Sequence, residues 1–222
     1  MSEIQVVVAR TEHRRYAETI CQMMFEAAQV RGTGIAKRKP EYLERKIAEG
    51  KAIIALDGER VAGFCYIEDW ENQKFVANSG LIVHPDYRQR GLAKRIKTEI
   101  FRLSKRRYPN AKIFGITTSR AVMKINSELG YQPVTFSELT QDETFWRGCR
   151  GCVNYDILTR TERKMCLCTG MVADLAQVPQ NATGLAQPEA PTPAKTPWSR
   201  FLEFIERRRQ RISNLLRSKE PV

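Results

Sequence analysis

Apolar runs of strand length alternate along the chain with stretches of helical period. Residues 4–9 are rich in β-branched side chains and predict a strand, and two helical stretches follow, the second over 41–49 behind Pro40. Three apolar runs at 52–56, 60–68 and 75–83 are joined by short turns and predict an antiparallel meander. After them the pattern predicts a helix over 91–106, a strand over 112–117, a helix over 120–129 and a strand over 131–135.

The stretch from Leu81 to Arg95 joins the third meander strand to the next helix. Pro85 stops the strand pattern, and a helical pattern opens near Gly91. The first turn of a helix carries unpaired N–H groups and the positive end of its dipole, so it attracts phosphate. Gly91 and Ala93 are small enough for a pyrophosphate to approach the backbone. Four basic residues lie beside this turn: Arg88, Arg90, Lys94 and Arg95.

The order R-x-x-G-x-A after V-x-P-x-Y resembles the acyl-CoA loop of the GNAT-type N-acetyltransferase superfamily, with matches at Arg88, Gly91 and Ala93. It is neither a Walker A loop nor a G-x-G-x-x-G fingerprint. The alternative is an ordinary strand-to-helix turn with solvated arginines. The resemblance covers roughly residues 4–160 and implies an α/β (α+β) GNAT fold, with a mixed, mostly antiparallel central sheet flanked by helices. Its last strand would be Asn154–Leu158.

The resemblance also implies where acyl-CoA binds. Acetyl-CoA, or alternatively succinyl-CoA, would lie in a splay between the strands over 75–83 and 112–117, where a backbone N–H polarises the thioester carbonyl. The acyl group would pass directly to a primary amine, because no cysteine lies in the loop–helix motif to form a covalent intermediate. The implied contacts are Leu81, Ile82, Val83, Arg88, Gln89, Arg90, Gly91, Leu92, Ala93 and Lys94.

Two residues are candidates for the catalytic chemistry. The resembled family often has a tyrosine acid four residues before the glycine that ends the second helix; here that position is Asn126, whose amide can donate a hydrogen bond to sulfur. The usual base is a carboxylate on a central strand, but Asn78 and Ser79 stand there. Glu68, which ends the preceding strand, is therefore the candidate base. The alternative for Glu68 is a surface charge at a turn.

Residues 117–149 carry a narrower likeness, to the acetyltransferase domain of N-acetylglutamate synthases. Paired threonines precede the helix, and L-G-Y-x-P-V and an acidic capping segment follow it. This likeness implies a small-molecule amine acceptor, the α-amine of glutamate or a related amino acid, as in arginine biosynthesis. The alternatives are a protein or peptide N-acetyltransferase and a non-catalytic acyl-CoA-binding sensor module. The sensor is supported by the lack of an evident tyrosine acid and strand carboxylate.

Composition adds a constraint on partners. The 222 residues carry a formal net charge of +12 and are 42% hydrophobic, which suits one ordinary domain with extra segments and a polyanionic partner. CoA, an acidic substrate or a membrane surface would serve; no base-reading motif is present, so nucleic acid is unlikely. The N-terminal residues do not resemble a signal peptide, and no run approaches the about 18 apolar residues of a membrane span. A cytoplasmic location is the default expectation.

Four of the six cysteines form two close pairs, Cys149-x-x-Cys152 and Cys166-x-Cys168, separated by residues 153–165. In a reducing compartment such cysteines are thiols or metal ligands rather than disulfides. Two pairs joined by a hairpin-sized spacer predict a tetrahedral zinc site. The alternative is free thiols on a short hairpin.

The domain organisation follows from these patterns. Residues 1–160 form the GNAT domain, 161–176 a cysteine-containing extension, 177–197 a disordered linker rich in Pro, Ala, Gln and Thr, and 198–219 a basic amphipathic helix. That helix would bind an anionic membrane surface, a partner protein or a second copy of itself, or would pack back on its own domain. The oligomeric state stays open. Its apolar stripe consists of Trp198, Phe201, Leu202, Ile205, Ile212, Leu215 and Leu216.

Truncation after Gln177 is expected to leave acyl transfer intact and to remove association with anionic vesicles or a partner protein. The linker has too little apolar content to fold, and each basic residue near an anionic surface contributes about 1 kcal/mol. Turnover and co-sedimentation with phosphatidylserine vesicles, compared between the full-length and truncated chains, check this. Lost turnover after truncation, or a full-length chain that ignores vesicles and stays monomeric, would contradict it.

Overall fold

A seven-stranded mixed sheet is the centre of the computed structural model, which describes residues 3–31 and 38–178. The strands lie in the order β1-β2-β3-β4-β5-β7-β6, and every neighbouring pair is antiparallel except the parallel pair β4 and β5. The strands are β1 (Gln5–Val8), β2 (Ala52–Asp57), β3 (Arg60–Trp70), β4 (Phe75–Val83), β5 (Lys112–Thr117), β6 (Gln132–Val134) and β7 (Thr169–Asp174).

Six α-helices flank the sheet in the described residues, and short 3₁₀ turns lie between several elements. Pro40 begins the second helix, where its missing N–H costs nothing. Ser119 caps the fourth by accepting a hydrogen bond from the Val122 N–H at 3.4 Å. The helices are α1 (Ala17–Arg31), α2 (Pro40–Ala48), α3 (Leu92–Arg107), α4 (Arg120–Glu128), α5 (Glu143–Arg147) and α6 (Tyr155–Arg160).

The two faces of the sheet bury different clusters because successive strand residues point to opposite sides. On one face, residues such as Ile53, Cys65 and Val76 pack with the apolar stripe of α3. On the other, Ile54, Phe64 and Tyr66 pack with α1 and α2. A third cluster, around Phe114, Phe136, Trp146 and Leu158, joins β5 to α5 and α6.

The sequence-based fold is confirmed for the meander, the hairpin turn at Asp57-Gly58 and the mixed, mostly antiparallel sheet. Among the described residues no helix is both long and apolar enough to cross a membrane. The predicted linker and amphipathic helix lie, except for Gln177 and Val178, outside the described residues.

The prediction of a last strand at Asn154–Leu158 is wrong. These residues begin α6, in which the Leu158 N–H donates to the Asn154 carbonyl at 3.4 Å and the Leu158 side chain enters the third cluster. The strand comes later, as β7, in the segment expected to be an extension. It lies between β5 and β6 and pairs with both. Burial of one helical face therefore outweighed the strand propensity of this short segment.

A β-bulge interrupts the pairing of β3 with β4. Phe64 pairs with Ile82 and Tyr66 pairs with Ser79, so Gly80 and Leu81 together oppose one residue of β3. Gly80 has φ +63°, and a Cβ atom there would lie 2.5 Å from Tyr66 Cε1 and 2.7 Å from Met24 Cε. The bulge therefore requires glycine both for its backbone angle and for its space.

Gly80→Ala is expected to lower the free energy of unfolding by about 2–4 kcal/mol, the sum of a left-handed backbone cost and overpacking. Gly58→Ala is the matched control, because Gly58 has φ +56° and nothing lies within 4 Å of its Cβ position. It should lose only the backbone cost of about 1–2 kcal/mol. Urea denaturation of both variants measures the difference, and equal losses would show that Tyr66 and Met24 do not crowd position 80.

Candidate functional site

The pairing between β4 and β5 ends halfway along their length. Their parallel pairing is confined to three positions, and it ends where Ala77 faces Phe114. Beyond that point β4 keeps only its pairing with β3, and β5 keeps only the pairing with β7 that its other edge makes along the whole strand. The edge of β4 that faces β5 is thus open from Asn78 to the end of the strand. This is the splay that the resemblance predicts.

The loop after β4 delivers the chain to α3 through two left-handed residues. Gln89 has φ +62° and Gly91, the N-cap of α3, has φ +73°. The Arg95 N–H bonds to the Gly91 carbonyl at 3.1 Å, so the N–H groups of residues 92–94 precede the first intrahelical bond. Nothing lies within 4 Å of the Cβ position of Gly91. This turn presents backbone donors and the positive dipole end to an open space, which suits a phosphate.

The basic side chains of this loop are mostly engaged by the protein itself. Arg88 Nε donates to the Val83 carbonyl at 3.2 Å, and Lys94 forms an ion pair with Glu128 at 2.8 Å. The Arg95 guanidinium donates to the Ile4 carbonyl at 2.9 Å. Each of the three makes an intramolecular bond, so the backbone N–H groups rather than a ring of free cations are what this turn offers to an anion.

The other predicted CoA contacts divide by burial. Leu81 is partly exposed and lines the cavity of the splay, whereas Ile82, Val83 and Leu92 are buried in the core. A ligand in the splay can therefore meet Ile82 and Val83 only through their backbone. Gln89 and Arg90 are exposed, and the Arg90 Cζ lies 6.0 Å from the centroid of the Tyr87 ring.

A cavity of about 1070 Å³ opens from the splay. Its walls come from α2, the ends of β3 and β4, the start of α4, the inner side of α3, and the cysteine-bearing segments. It holds both candidate catalytic residues, Glu68 and Asn126, together with Asn78, Ser79 and Leu81. The structure thus brings the two candidate catalytic residues and Leu81 to one cavity, whereas the predicted contacts at residues 82–94 lie outside its lining.

The Glu68 carboxylate is enclosed by groups from α2 and the residues before it. Tyr42 donates its hydroxyl proton to Oε1, Lys46 Nζ lies 3.3 Å from Oε2, and Arg38 lies 3.8 Å from Oε1. Burial, followed by the Glu68 charge, raises the pKa of the Tyr42 hydroxyl well above its usual range, so Tyr42 remains a donor. These contacts tie β3 to α2 and keep the side chain of Glu68 only 14% exposed.

Tyr66 stands between this network and the bulge. It is 1% exposed, and its hydroxyl accepts a hydrogen bond from Arg38 Nε at 2.7 Å. Burial raises the pKa of Tyr66, against the opposing effect of the Arg38 charge. The position of Arg38 is thereby fixed at the cavity wall on the α2 side of the sheet.

Asn126 is buried, at 2% exposure, on the face of α4 that meets β5 and β7. Its Nδ2 donates to the Met171 sulfur at 3.7 Å, and its Oδ1 has no hydrogen-bond partner within the described ranges. A buried acceptor without a donor is costly, so this group is suited to a ligand donor in the cavity.

A polar chain of neutral groups lies on the opposite side of the splay. Asn78 Nδ2 donates to Ser104 Oγ at 2.8 Å, and the Tyr131 hydroxyl donates to Asn78 Oδ1 at 3.4 Å. Lys97, from α3, places its Nζ 5.2 Å from the centroid of the Tyr131 ring. Burial raises the pKa of Tyr131 well above its usual range, so its hydroxyl remains protonated.

The predicted zinc site is not supported. All four cysteines line the cavity, but across residues 3–31 and 38–178 no group of three or more His, Cys, Asp and Glu side chains is arranged to hold a metal ion. Burial, and then the neighbouring thiols, raise the pKa of Cys149 to about 11 and of Cys168 to about 12. These two are therefore protonated thiols, packed beside the third cluster.

Sequence reasoning missed several cavity residues. The sequence pattern places Tyr42 in a helix and Tyr66 in a strand, with no local signal that either lines a cavity. Lys97 was overlooked because lysine on a helix is usually solvated; its position next to Ile96, one turn before Ile100, was the available signal for burial.

Gly91→Asp is expected to weaken CoA binding at least about 100-fold, because a carboxylate would stand where the phosphate binds. Gly91→Asn is the matched control, since it has the same shape and the same tolerance of φ +73° but no charge. Calorimetry with CoA, on variants whose circular dichroism shows a native fold, measures both. Native CoA affinity in the folded Asp variant would refute the loop assignment.

Alkylation of Cys149 and Cys168 is expected to be slow at pH 7.5 and to speed up about tenfold per pH unit as the thiols approach pKa values of about 11 and 12. In urea their pKa returns to about 8.5 and the reaction should accelerate on the order of 100-fold. Peptide mapping after timed iodoacetamide treatment measures this. Equal rates in folded and unfolded protein would show that burial does not protect these thiols.

Comparison with known proteins shows which family model this chain matches. Residues 19–121 match the model of the Acetyltransferase (GNAT) family, a segment that runs from α1 through the splay and its loop to the start of α4. No curated protein matches the chain.

Solved structures share the fold at low identity. N-acetylglutamate synthase from Neisseria gonorrhoeae, complexed with coenzyme A and N-acetyl-glutamate, is 18% identical with a TM-score of 0.55 over 79% of this chain and 36% of that one. The putative acetyltransferase yncA from Salmonella typhimurium, with acetyl-CoA, is 13% identical with a TM-score of 0.54 over 80% and 97%.

A GNAT-family acetyltransferase from Staphylococcus aureus Mu50 is 12% identical with a TM-score of 0.56 over 78% of this chain and 99% of that one. This chain spans only about a third of the synthase chain. The residues that match the family model include the splay of β4 and β5 and the loop that follows it, and the solved structures share the fold of this chain.

Proposed function

We propose that this protein transfers an acetyl group from acetyl-CoA to a primary amine bound beside it in a ternary complex. The observation that carries the proposal is the open edge of β4 after Ala77, which leads directly into a helix N-terminus with free backbone donors. The first feature accommodates an extended arm with amide groups, and the second accommodates phosphates. Together they match the two ends of CoA.

The residues present fit acyl-CoA. The first turn of α3 would hold the pyrophosphate through the N–H groups of Leu92, Ala93 and Lys94, with Gly91 leaving space for it. Arg88, Gln89 and Arg90 would shape the approach. The backbone at Leu81, Ile82 and Val83 would hold the pantetheine arm, and an N–H there would polarise the thioester carbonyl.

Glu68 and Asn126 are proposed to flank the reacting groups. Glu68 lies in the cavity wall on the α2 side, and its carboxylate is oriented by Tyr42 and Lys46, so it would receive the acceptor amine and remove its proton directly or through water. Asn126 lies across the splay and would hydrogen-bond the ligand near its sulfur.

For the acceptor we infer the α-amine of an acidic amino acid such as glutamate. Arg38 and Lys39 bring positive charge to the cavity wall beside Glu68, which favours a carboxylate-bearing amine. The structural likeness to a synthase complexed with N-acetyl-glutamate points the same way, at the level of the shared fold. A peptide amine is the alternative that the acceptor comparison below also tests.

A matched set of acceptors tests the assignment. Thiol release from acetyl-CoA is measured with five acceptors: glutamate, glutamine, norleucine, lysine and a peptide with a free N-terminal amine. Succinyl-CoA is used as a second donor. Glutamate is expected to exceed glutamine at least tenfold in kcat/KM, since only its side chain carries the second carboxylate.

Three results would change the proposal. A preference for lysine or for the peptide would overturn the acidic acceptor while leaving acetyl transfer intact. A preference for succinyl-CoA would change the acyl group. Tight binding of acetyl-CoA without turnover on any acceptor would overturn transfer itself and favour a sensor.

A further inference from the structure

Lys97 is an unusual residue at the base of the splay. It lies in α3 on the face that packs against β3 and β4, is only 3% exposed, and lines the cavity. Its ammonium faces the Tyr131 ring, and within the described chain it makes no hydrogen bond or ion pair. A buried cation without a counter-ion is expensive, and natural proteins retain such groups chiefly at functional sites.

The surroundings of Lys97 make its ammonium group a stronger acid than that of an exposed lysine. Burial lowers the pKa of Lys97 to about 8, although the neighbouring Cys65 thiol acts in the opposite direction. The titratable groups that face it are Cys65 from β3 and Tyr131 from the segment after α4, and burial raises the pKa of each, that of Cys65 to about 11. Both are neutral near pH 7, so Lys97 carries the exchangeable proton on this side of the sheet.

The proposed reaction requires a proton donor on this same side of the sheet. Acyl transfer releases a thiolate, and position 126, where an acidic tyrosine would stand, is an asparagine with no proton to give. Tyr131 is fully buried and its hydroxyl is committed to Asn78. The charged groups around Glu68 belong to the α2 side of the sheet, whereas Lys97 reaches the splay from α3.

We propose that Lys97 is a catalytic residue of the transfer reaction, the general acid that gives its proton to the departing CoA thiolate. This inference rests on the proposed acetyl transfer. It assigns to a lysine of α3 the proton donation that no residue of α4 performs.

The acceptor nitrogen uses its lone pair to form a bond to the thioester carbonyl carbon, and the C–S bond breaks with its electron pair leaving on sulfur. The Lys97 ammonium gives one proton to that sulfur, producing the CoA thiol and a neutral amine. The acceptor nitrogen loses one proton to the base, and Lys97 regains a proton from water that enters the cavity.

The first test needs no acceptor and uses the full-length protein with CoA. The ultraviolet absorbance of the CoA thiolate is titrated in the complex, with the desulfo-CoA complex subtracted so that protein thiols and tyrosines cancel. In the wild type the thiolate should form at least one pH unit lower than in Lys97→Met, a tenfold change in the ionisation constant. Identical titrations would overturn the contact between Lys97 and sulfur.

The second test separates proton donation from charge. Lys97→Met is expected to lower kcat at least about 100-fold, with the CoA affinity within about twofold of wild type, and to remove the fall in kcat above about pH 8. Lys97→Arg keeps a charge that does not release its proton, so it should retain the lowered thiol pKa but not the turnover. Lys124→Met, an exposed lysine on α4, is the control and should leave kcat unchanged.

The outcomes are distinct. The role of Lys97 alone is overturned if the wild type turns over and Lys97→Met keeps kcat within threefold of it. The same conclusion follows if Lys97→Met keeps the fall in kcat at high pH. If Lys97→Met does not fold, Lys97→Arg decides, since native turnover in that variant overturns proton donation. A wild type that shows the thiol shift but acetylates no amine overturns the transfer reaction and, with it, Lys97 as its acid.

Discussion

The separation of β4 from β5 after Ala77 is the constraint on which the rest of the site depends. If β4 and β5 were hydrogen-bonded along their whole length, every backbone group between them would be satisfied and no room would be left for a ligand. Here β5 pairs with β4 only as far as Phe114, whereas its other edge pairs with β7 along the whole strand, and a bulge interrupts β4 at Gly80. Position 80 of the bulge must be glycine, because Tyr66 and Met24 fill the space where a side chain there would stand.

The split sheet also separates two kinds of chemistry. On the α2 side, Glu68 is surrounded by Lys46, Arg38 and Tyr42, a network in which every charge has a partner. On the α3 side, Lys97 stands among neutral groups, and its charge is matched by none of them in the described residues. The sheet therefore separates the ion-paired groups around Glu68 from a buried lysine that has no ion pair in the described part of the chain.

Local signals predicted most of the fold, and with it the turn that leads from β4 into α3. Pro85, Gly91 and the helical period that follows are all within one short stretch, so their meaning does not depend on distant residues. The splay followed only from the family resemblance. The strand error at Asn154–Leu158 has a different origin: whether these residues form a strand or a helix depends on whether Leu158 meets the aromatic cluster around Trp146. The burial of Lys97 likewise depends on β3, β4 and Tyr131, and its position beside Ile96 was the one local signal for it.

The position of β7 between β5 and β6 has a consequence for how the chain acquires its site. The ribosome makes β1 to β5 first, and the loop that would bind phosphate can form with them. The edge of β5 that pairs with β7, however, stays unpaired until α4, β6, α5 and α6 have been synthesised, because β7 is nearly the last described segment. Pairing across so long an intervening segment is slow, and an unpaired strand edge invites wrong partners meanwhile. The nascent chain thus contains the turn at the start of α3 before it has closed the far side of β5.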